Sequence, residues 1–452
     1  MEEKSFETRR QEALEALGGG EAHEAFNLFR WTLEYPGVPE LKEPGRWRQA
    51  LETFASISDA IAGKEFADGV RGALEESPQA LYELGYQLVE QGLHGIAATV
   101  LLRALRLAPG EEPLLTELCV ALESQGLNAE ATRFLREVPE RLEHSFLCRY
   151  LLAFNVLMTG DLDEPRRLLP GLARLRAQAE GEREAPAYAH MEDRLEQMLA
   201  RADAVRNVTP LDTQDLRGWH FVVTGGVLLH VSPFGFDEGM RGRYAFTQDS
   251  EERCLEGIQR VAEVLRATGL KPPRVFVLPE RSSAILAHAA AQVLGVPAEP
   301  WPSEGSEEPG LIVAYALSGL DEPVLETLST HHAGQILWCH AVCWTQPPPC
   351  APDLATYLYQ TNMSPWGKRF RVDAETRKME TVPPLTGAVE ELARTVVSAK
   401  SEEEPLADLP TLSALVKATK QARGSAVGGL FRREGPRRRM FTDSPVKSNR
   451  FL

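Results

Sequence analysis

Cysteine is sparse in this chain: six residues (Cys119, Cys148, Cys254, Cys339, Cys343, Cys350) scattered over 452 positions. That spacing gives no disulfide framework of the kind that holds small secreted domains together. Long apolar runs are also missing. The longest weakly polar stretch, Ala284 to Ala298, carries His288 and Gln292 and is too short to span a bilayer. The opening MEEKSFETRRQEALEAL is charged throughout, without the apolar centre of a secretion signal. A reduced, cytoplasmic protein with no membrane partner is the expectation. Positive charge is in deficit, with 49 Lys and Arg against 65 Asp and Glu and a net charge of −16. A folded body of that sign repels nucleic acid rather than attracting it. Catalytic signatures are absent too: the sequence has no GxSxG, HExxH or GxxxxGK[ST], and no GxGxxG after a strand pattern. An interaction protein is therefore expected rather than an enzyme, with no cofactor.

Apolar residues make up 43% of the chain and charged residues 25%, ordinary values for folded domains. The length allows two or three of them. Internal repetition is the strongest signal. Gly92, Gly126 and Gly160 are spaced 34 residues apart, each between two helical patterns, and five residues beyond them stand Ala97, Ala131 and Pro165. Glycine at a turn takes positive φ at no cost, and a small alanine lets paired helices approach. An earlier copy starts at Gly20–Glu21–Ala22, and residues 47–78 read as a degenerate hairpin between the copies. One hairpin cannot bury its own apolar face, so four or five must stack.

The segment from Ala80 to Pro113 resembles the tetratricopeptide (TPR) repeat without a gap. Leu84, Gly85 and Leu88 match the first helix, Gly92 the turn, Ala97, Leu101, Ala104 and Leu105 the second helix, and Pro109 the end of the unit. The resemblance implies an α-solenoid that presents a surface to a peptide or protein partner.

After Asn207 the pattern changes. Trp219–Thr224 and Val227–Val231 flank Gly225–Gly226 and read as a β-hairpin. Helices are expected at 251–268, 284–294, 322–330, 387–398 and 411–421. Strands are expected at 274–278, 311–316 and 335–344. Strands alternating with helices of this length predict an α/β domain with a mostly parallel sheet. The expected layout is thus a TPR-like helical array over 1–205 and an α/β domain over 206–400. A linker with a short helix follows over 401–422, then a disordered basic tail over 423–452.

Within the α/β half, the strand-loop-helix RVFVLPERSSAILAHAAAQVLG has the strongest chemical content. Ser282 or Ser283 is placed to cap the helix, whose free N–H groups and dipole favour an anion beside Arg281. Arg241 and Arg243 are candidates to join it. Plain capping with a solvated arginine is the competing reading. Residues 270–345 resemble the phosphoribosyltransferase-type α/β fold through this turn and LIVAYALSG. Where that family carries an acidic pair, this chain has Ala314 and Tyr315. The resemblance therefore implies a degenerate sensor or enzyme for a phosphorylated small molecule.

His331, His332, Cys339, His340, Cys343 and Cys350 crowd into twenty residues, yet their spacing matches no paired-ligand zinc pattern. They read as core residues, with no metal. Residues 421–452 carry eight Arg and Lys against two acidic groups. Apolar anchors punctuate this tail at Leu430, Phe431, Met440, Phe441 and Phe451 among arginines that include Arg432 and Arg433, the form of a segment that folds on a protein partner. Nucleic acid is a weaker option for the same arginines. The combined expectation is a scaffold or adaptor that binds another protein through the array and the tail motif.

Overall fold

A computed structural model describes residues 4–234, 239–373, 377–400, 406–421 and 434–449. Contacts divide the chain at 192/193 into two compact units, so the boundary falls inside a helix rather than at 205.

The first unit is all helical. Its hairpins are α1 (Phe6–Gly18) with α2 (Ala22–Leu33), α3 (Arg46–Ala62) with α4 (Lys64–Gly72), and α5 (Pro78–Glu90) with α6 (His94–Leu107). Next come α7 (Glu112–Glu123) with α8 (Asn128–Arg136), the short α9 (Pro139–His144), and α10 (Phe146–Leu157) with α11 (Asp163–Gln178). The degenerate stretch is therefore a genuine hairpin. Gly92, Gly126 and Gly160 all take positive φ, as helix-ending turns require. Gly85 has a different reason for being glycine. A Cβ there would lie 2.5 Å from the Leu101 side chain, so glycine lets that leucine of the second helix pack against the backbone of the first. Leu81, Leu84, Leu88, Ala97 and Leu101 bury the seam. Asn128 donates to Asn155 inside the stack at 3.0 Å, a polar pair that fixes the register of neighbouring hairpins.

Helix α12 (Ala185–Val205) carries the chain into the second unit, where Arg201 donates to the carbonyls of Val222 and Val223. There the elements are α13 (Leu216–Thr224), β1 (Val227–Leu228), β2 (Tyr244–Gln248), α14 (Glu251–Thr268), β3 (Val275–Val277), α15 (Arg281–Leu294), β4 (Ala298–Pro300), β5 (Gly310–Ala314), α16 (Glu322–Leu328), β6 (Thr330–His331), β7 (Gln335–Cys343), β8 (Leu354–Met363), β9 (Arg369–Val372), β10 (Met379–Val382), α17 (Val389–Ser398), α18 (Leu409–Gln421) and β11 (Gly435–Pro436). One seven-stranded sheet runs β1-β8-β7-β5-β3-β4, and β2 pairs with β8 beyond β1. All its pairings are parallel. Parallel strands are buried on both faces, which is why every residue of β5 and β7 is buried. From β3 the chain steps outward through α15 to β4. It then returns past β3 to β5 and continues to β7 and β8, which places a reversal of direction between β3 and β5.

Two expectations are corrected. The predicted hairpin does not form: residues 216–224 are helix α13, and Val227–Leu228 pairs in parallel with β8. Asp215 caps α13 through Gly218 N at 2.9 Å, and Gly225 ends it at φ +78°. All nine helix residues are buried, and that burial outweighs the β-propensity of its Val-rich run.

The tail is ordered over 434–449, where disorder was expected. Strand β11 pairs antiparallel with β6, Ala351 N donates to Arg438 O at 2.7 Å, and Asn449 N donates to Gly239 O at 3.0 Å. Met440 is 2% exposed and Val446 1%. The Arg437 side chain is 2% exposed and pairs with Asp353 at 2.7 Å, and burial pushes the Arg438 pKa down to about 10. These two arginines are engaged by the protein rather than offered to nucleic acid. Leu430, Phe431, Arg432, Arg433 and Phe451 lie outside the described residues. Among the described residues no helix is long and apolar enough to cross a membrane.

Candidate functional site

In open α/β sheets, ligands sit beyond the carboxyl ends of the strands, at the point where strand order reverses. Here that point lies after β3 and β5, the location of the PERSS loop. The position expected for an anion is filled by the chain itself. Glu280 caps α15, its two oxygens accepting Ser282 N at 2.8 Å and Ser283 N at 2.7 Å, with the Ser283 hydroxyl donating at 2.9 Å. Ser283 Oγ in turn accepts from Tyr315 N at 2.9 Å, stitching the two strand ends together. Arg281 is exposed and spends its guanidinium on the carbonyls of Leu385 and Gly387. Arg243 is 2% exposed, facing Ser444 and the Trp344 ring, and Arg241 stands at φ +45° on the turn before it. Arg243, Arg281, Ser282 and Ser283 are thus engaged in separate structural tasks, and capping by a carboxylate has taken the anion's place.

The open space lies further along the same edge. Ser318, Cys343, Thr345, Gln346, Tyr359, Gln360, Thr361 and Asn362, from the carboxyl ends of β5, β7 and β8, line a cleft of about 560 Å³. Its wall continues inward as a polar network. Asn362 Oδ1 accepts from Thr247 at 2.7 Å and Tyr357 at 3.1 Å, and its Nδ2 donates to Tyr315 Oη at 3.1 Å. Tyr315 donates to Asp249 Oδ2 at 2.8 Å. Around that same oxygen stand His340 Nε2 at 3.1 Å and Cys254 Sγ at 3.6 Å.

Local structure explains how these groups converge. Asp249 follows the last residue of β2, and Ser250 caps α14 through Arg253 N at 3.2 Å, which puts Cys254 on the first turn facing the sheet. In β7 side chains alternate, so His340 shares its face with Trp338 and Val342, while Cys339 and Cys343 point the other way. Gly257 clears room for the imidazole: a Cβ would meet His340 Nδ1 at 2.7 Å. His340 Nδ1 lies 3.2 Å from Thr356 Oγ1, which also accepts Trp338 Nε1 at 2.8 Å.

Asp249, Cys254 and His340 are all fully buried. Burial alone would raise the Asp249 pKa, but His340, Arg253 and the Tyr315 hydroxyl outweigh it and hold the carboxyl below its usual range. Burial first, then the Asp249 charge, pushes the Cys254 thiol well up. The same two influences raise the Tyr315 phenol. A nucleophilic cysteine needs a depressed pKa and a base whose second nitrogen is held by an orienting group. Here His340 turns one nitrogen to both Asp249 and Cys254, and burial beside the Asp249 carboxylate disfavours a free thiolate. Acyl-transfer chemistry does not fit this arrangement.

Sequence spacing had set His340 among its chain neighbours 331–350. The structure separates them and brings it instead to Asp249 and Cys254. The only sequence signal for this was a histidine inside an otherwise apolar strand. Compared with protein-family models, with curated proteins and with solved structures, the chain matches none.

Proposed function

We propose that this chain is a cytoplasmic adaptor whose helical unit, a TPR-type array, docks another protein. One observation carries the reading. Tyr86 on α5 and Val120 on α7 occupy equivalent positions, 34 residues apart, and both are exposed, at 46% and 37%. Adjacent hairpins therefore offer apolar side chains at the same point of the repeat. Tyr82 stands one helical turn before Tyr86, with ring centroids 6.5 Å apart, and widens the aromatic surface. Exposed aromatic and aliphatic residues in register are the anchors an extended or helical peptide uses. Affinity capture from native lysate tests this, with the full chain compared to a Tyr86→Ser/Val120→Ser variant whose changes lie on the surface. A partner retained by the full chain and lost by the variant supports the adaptor. A partner recovered equally by both, or by neither, overturns this surface.

A second reading rests on Asn362. It lines the cleft and is hydrogen-bonded through Tyr315 to the buried Asp249, so a polar small molecule in the cleft would be sensed by the core of the α/β unit. Thermal-shift measurements with nucleotides and sugar phosphates test it. Stabilisation by a member of that set, lost in Asn362→Leu, supports the reading, and a flat response across the set counts against it.

A further inference from the structure

The geometry points to Asp249, Cys254 and His340 as the protein ligands of a zinc-type divalent metal ion. The three donor atoms form a closed triangle: Nε2 to Oδ2 is 3.1 Å, Sγ to Oδ2 is 3.6 Å and Sγ to Nε2 is 3.8 Å. A point equidistant from the three corners lies about 2.0 Å from each, the circumradius of a triangle with those sides. Zinc bonds run about 2.0–2.1 Å to imidazole nitrogen, about 2.0–2.2 Å to carboxylate oxygen and about 2.3 Å to thiolate, so a small rise out of that plane satisfies all three.

Donor chemistry agrees with the distances. Imidazole, thiolate and carboxylate together suit zinc and its neighbours better than calcium or magnesium, which take oxygen alone. Ionised Asp249 and Cys254 would balance a dication in a site that holds no water-exposed surface. Outer groups also stand where a metal site needs them. Thr356 Oγ1 lies 3.2 Å from His340 Nδ1, placed to fix the tautomer that frees Nε2, and Tyr315 Oη holds the Asp249 carboxylate at 2.8 Å. Without an ion, one carboxylate oxygen collects three donors while the sulfur and nitrogen face each other at 3.8 Å. With an ion, each of the three atoms addresses one common point.

The test uses the full chain under reducing conditions. Zinc content per chain is measured after purification, and metal-free protein is then titrated with cobalt(II) while its absorption is recorded. The expected result is saturation near one equivalent, with a strong thiolate-to-cobalt charge-transfer band. Cys254→Ser abolishes the band, whereas Cys339→Ser, on the opposite face of β7, keeps it. Folded wild-type protein that neither carries zinc nor changes its cobalt spectrum overturns the proposal, and so does a band that survives Cys254→Ser. Should Cys254→Ser fail to fold, the wild-type titration and Cys339→Ser still decide: loss of the band in the latter places the thiolate elsewhere.

Discussion

Met440 offers the sharpest check on the ordered tail. It lies in a segment whose composition, rich in Gly, Arg and Ser, resembles that of a flexible terminus, yet its side chain is 2% exposed. Truncation to alanine at a buried Met costs about 2–5 kcal/mol, from lost transfer energy and the cavity left behind. The strap limits the upper value. Ordering each of its residues costs about 1–2 kcal/mol of backbone entropy, so its own net hold on the domain is modest. Once Met440→Ala detaches the strap, further loss stops at that hold. About 3 kcal/mol is a reasonable centre. With a urea m-value of about 3 kcal/mol/M, the unfolding midpoint falls by about 1 M. Tryptophan fluorescence reports the α/β unit through Trp219, Trp301, Trp338, Trp344 and Trp366. Val372→Ala, at a position 65% exposed, is the control and shifts stability by no more than about 0.5 kcal/mol. A chain ending at Arg433 sets the limit that Met440→Ala approaches. If Met440→Ala behaves like the control, the strap is not part of the cooperative fold and the reasoning fails.

Acid sensitivity follows from two buried histidines, His220 with its pKa pushed down to about 4 and His230 to about 3, burial being the first cause in each. The unfolded chain takes up these protons near pH 6.5 while the folded chain refuses them. Stability is therefore complete above that pH and falls as pH drops toward 4, by up to about 1.4 kcal/mol per pH unit for each histidine. Urea midpoints at pH 7 and pH 5 measure the slope, and equal midpoints refute it. Gly257→Ala drives a methyl against His340 and Thr356 and is expected to cost about 1–3 kcal/mol, more than the roughly 1 kcal/mol that alanine adds to helix propensity. A neutral result in the same urea assay would mean that the imidazole has room to yield.

Much of the architecture was legible because it rests on periodicity. The 34-residue glycine spacing located the hairpins, and alternating helices and apolar runs located β3, β5, β7 and the helices around them. What failed was decided by distant partners. Trp219–Thr224 has the composition of a strand, but it is enclosed on all sides and capped by Asp215 and Gly225, and helix satisfies its backbone locally. The tail has too few apolar residues to fold alone. It is ordered because Asp353, Ser329 and Gly239, far away in sequence, supply its partners. The PERSS loop is legible as a helix start, but the cap is Glu280, two residues ahead of Ser282, and a glutamate there carries no capping signal as strong as the serines'.

The polar network beneath the cleft has no packing justification of its own. Along β7, Ile336, Leu337, Trp338 and Val342 show what an ordinary buried parallel strand contains, and Leu354 and Leu358 do the same for β8. A fold that needed only stability at position 249 would hold an apolar residue there, because replacing buried ionic groups by well-packed apolar ones is often neutral or stabilising by about 1–4 kcal/mol. Instead, five polar side chains are linked in sequence, Asn362 on β8, Tyr315 after β5, Asp249 after β2, His340 on β7 and Cys254 on α14. One end reaches an open cleft and the other meets at three atoms around a single point. Removing one member takes a hydrogen-bond partner from each of its buried neighbours, so the arrangement is costly to lose. That asymmetry is what the zinc titration and the Asn362→Leu thermal-shift measurement probe at the carboxyl edge of the sheet.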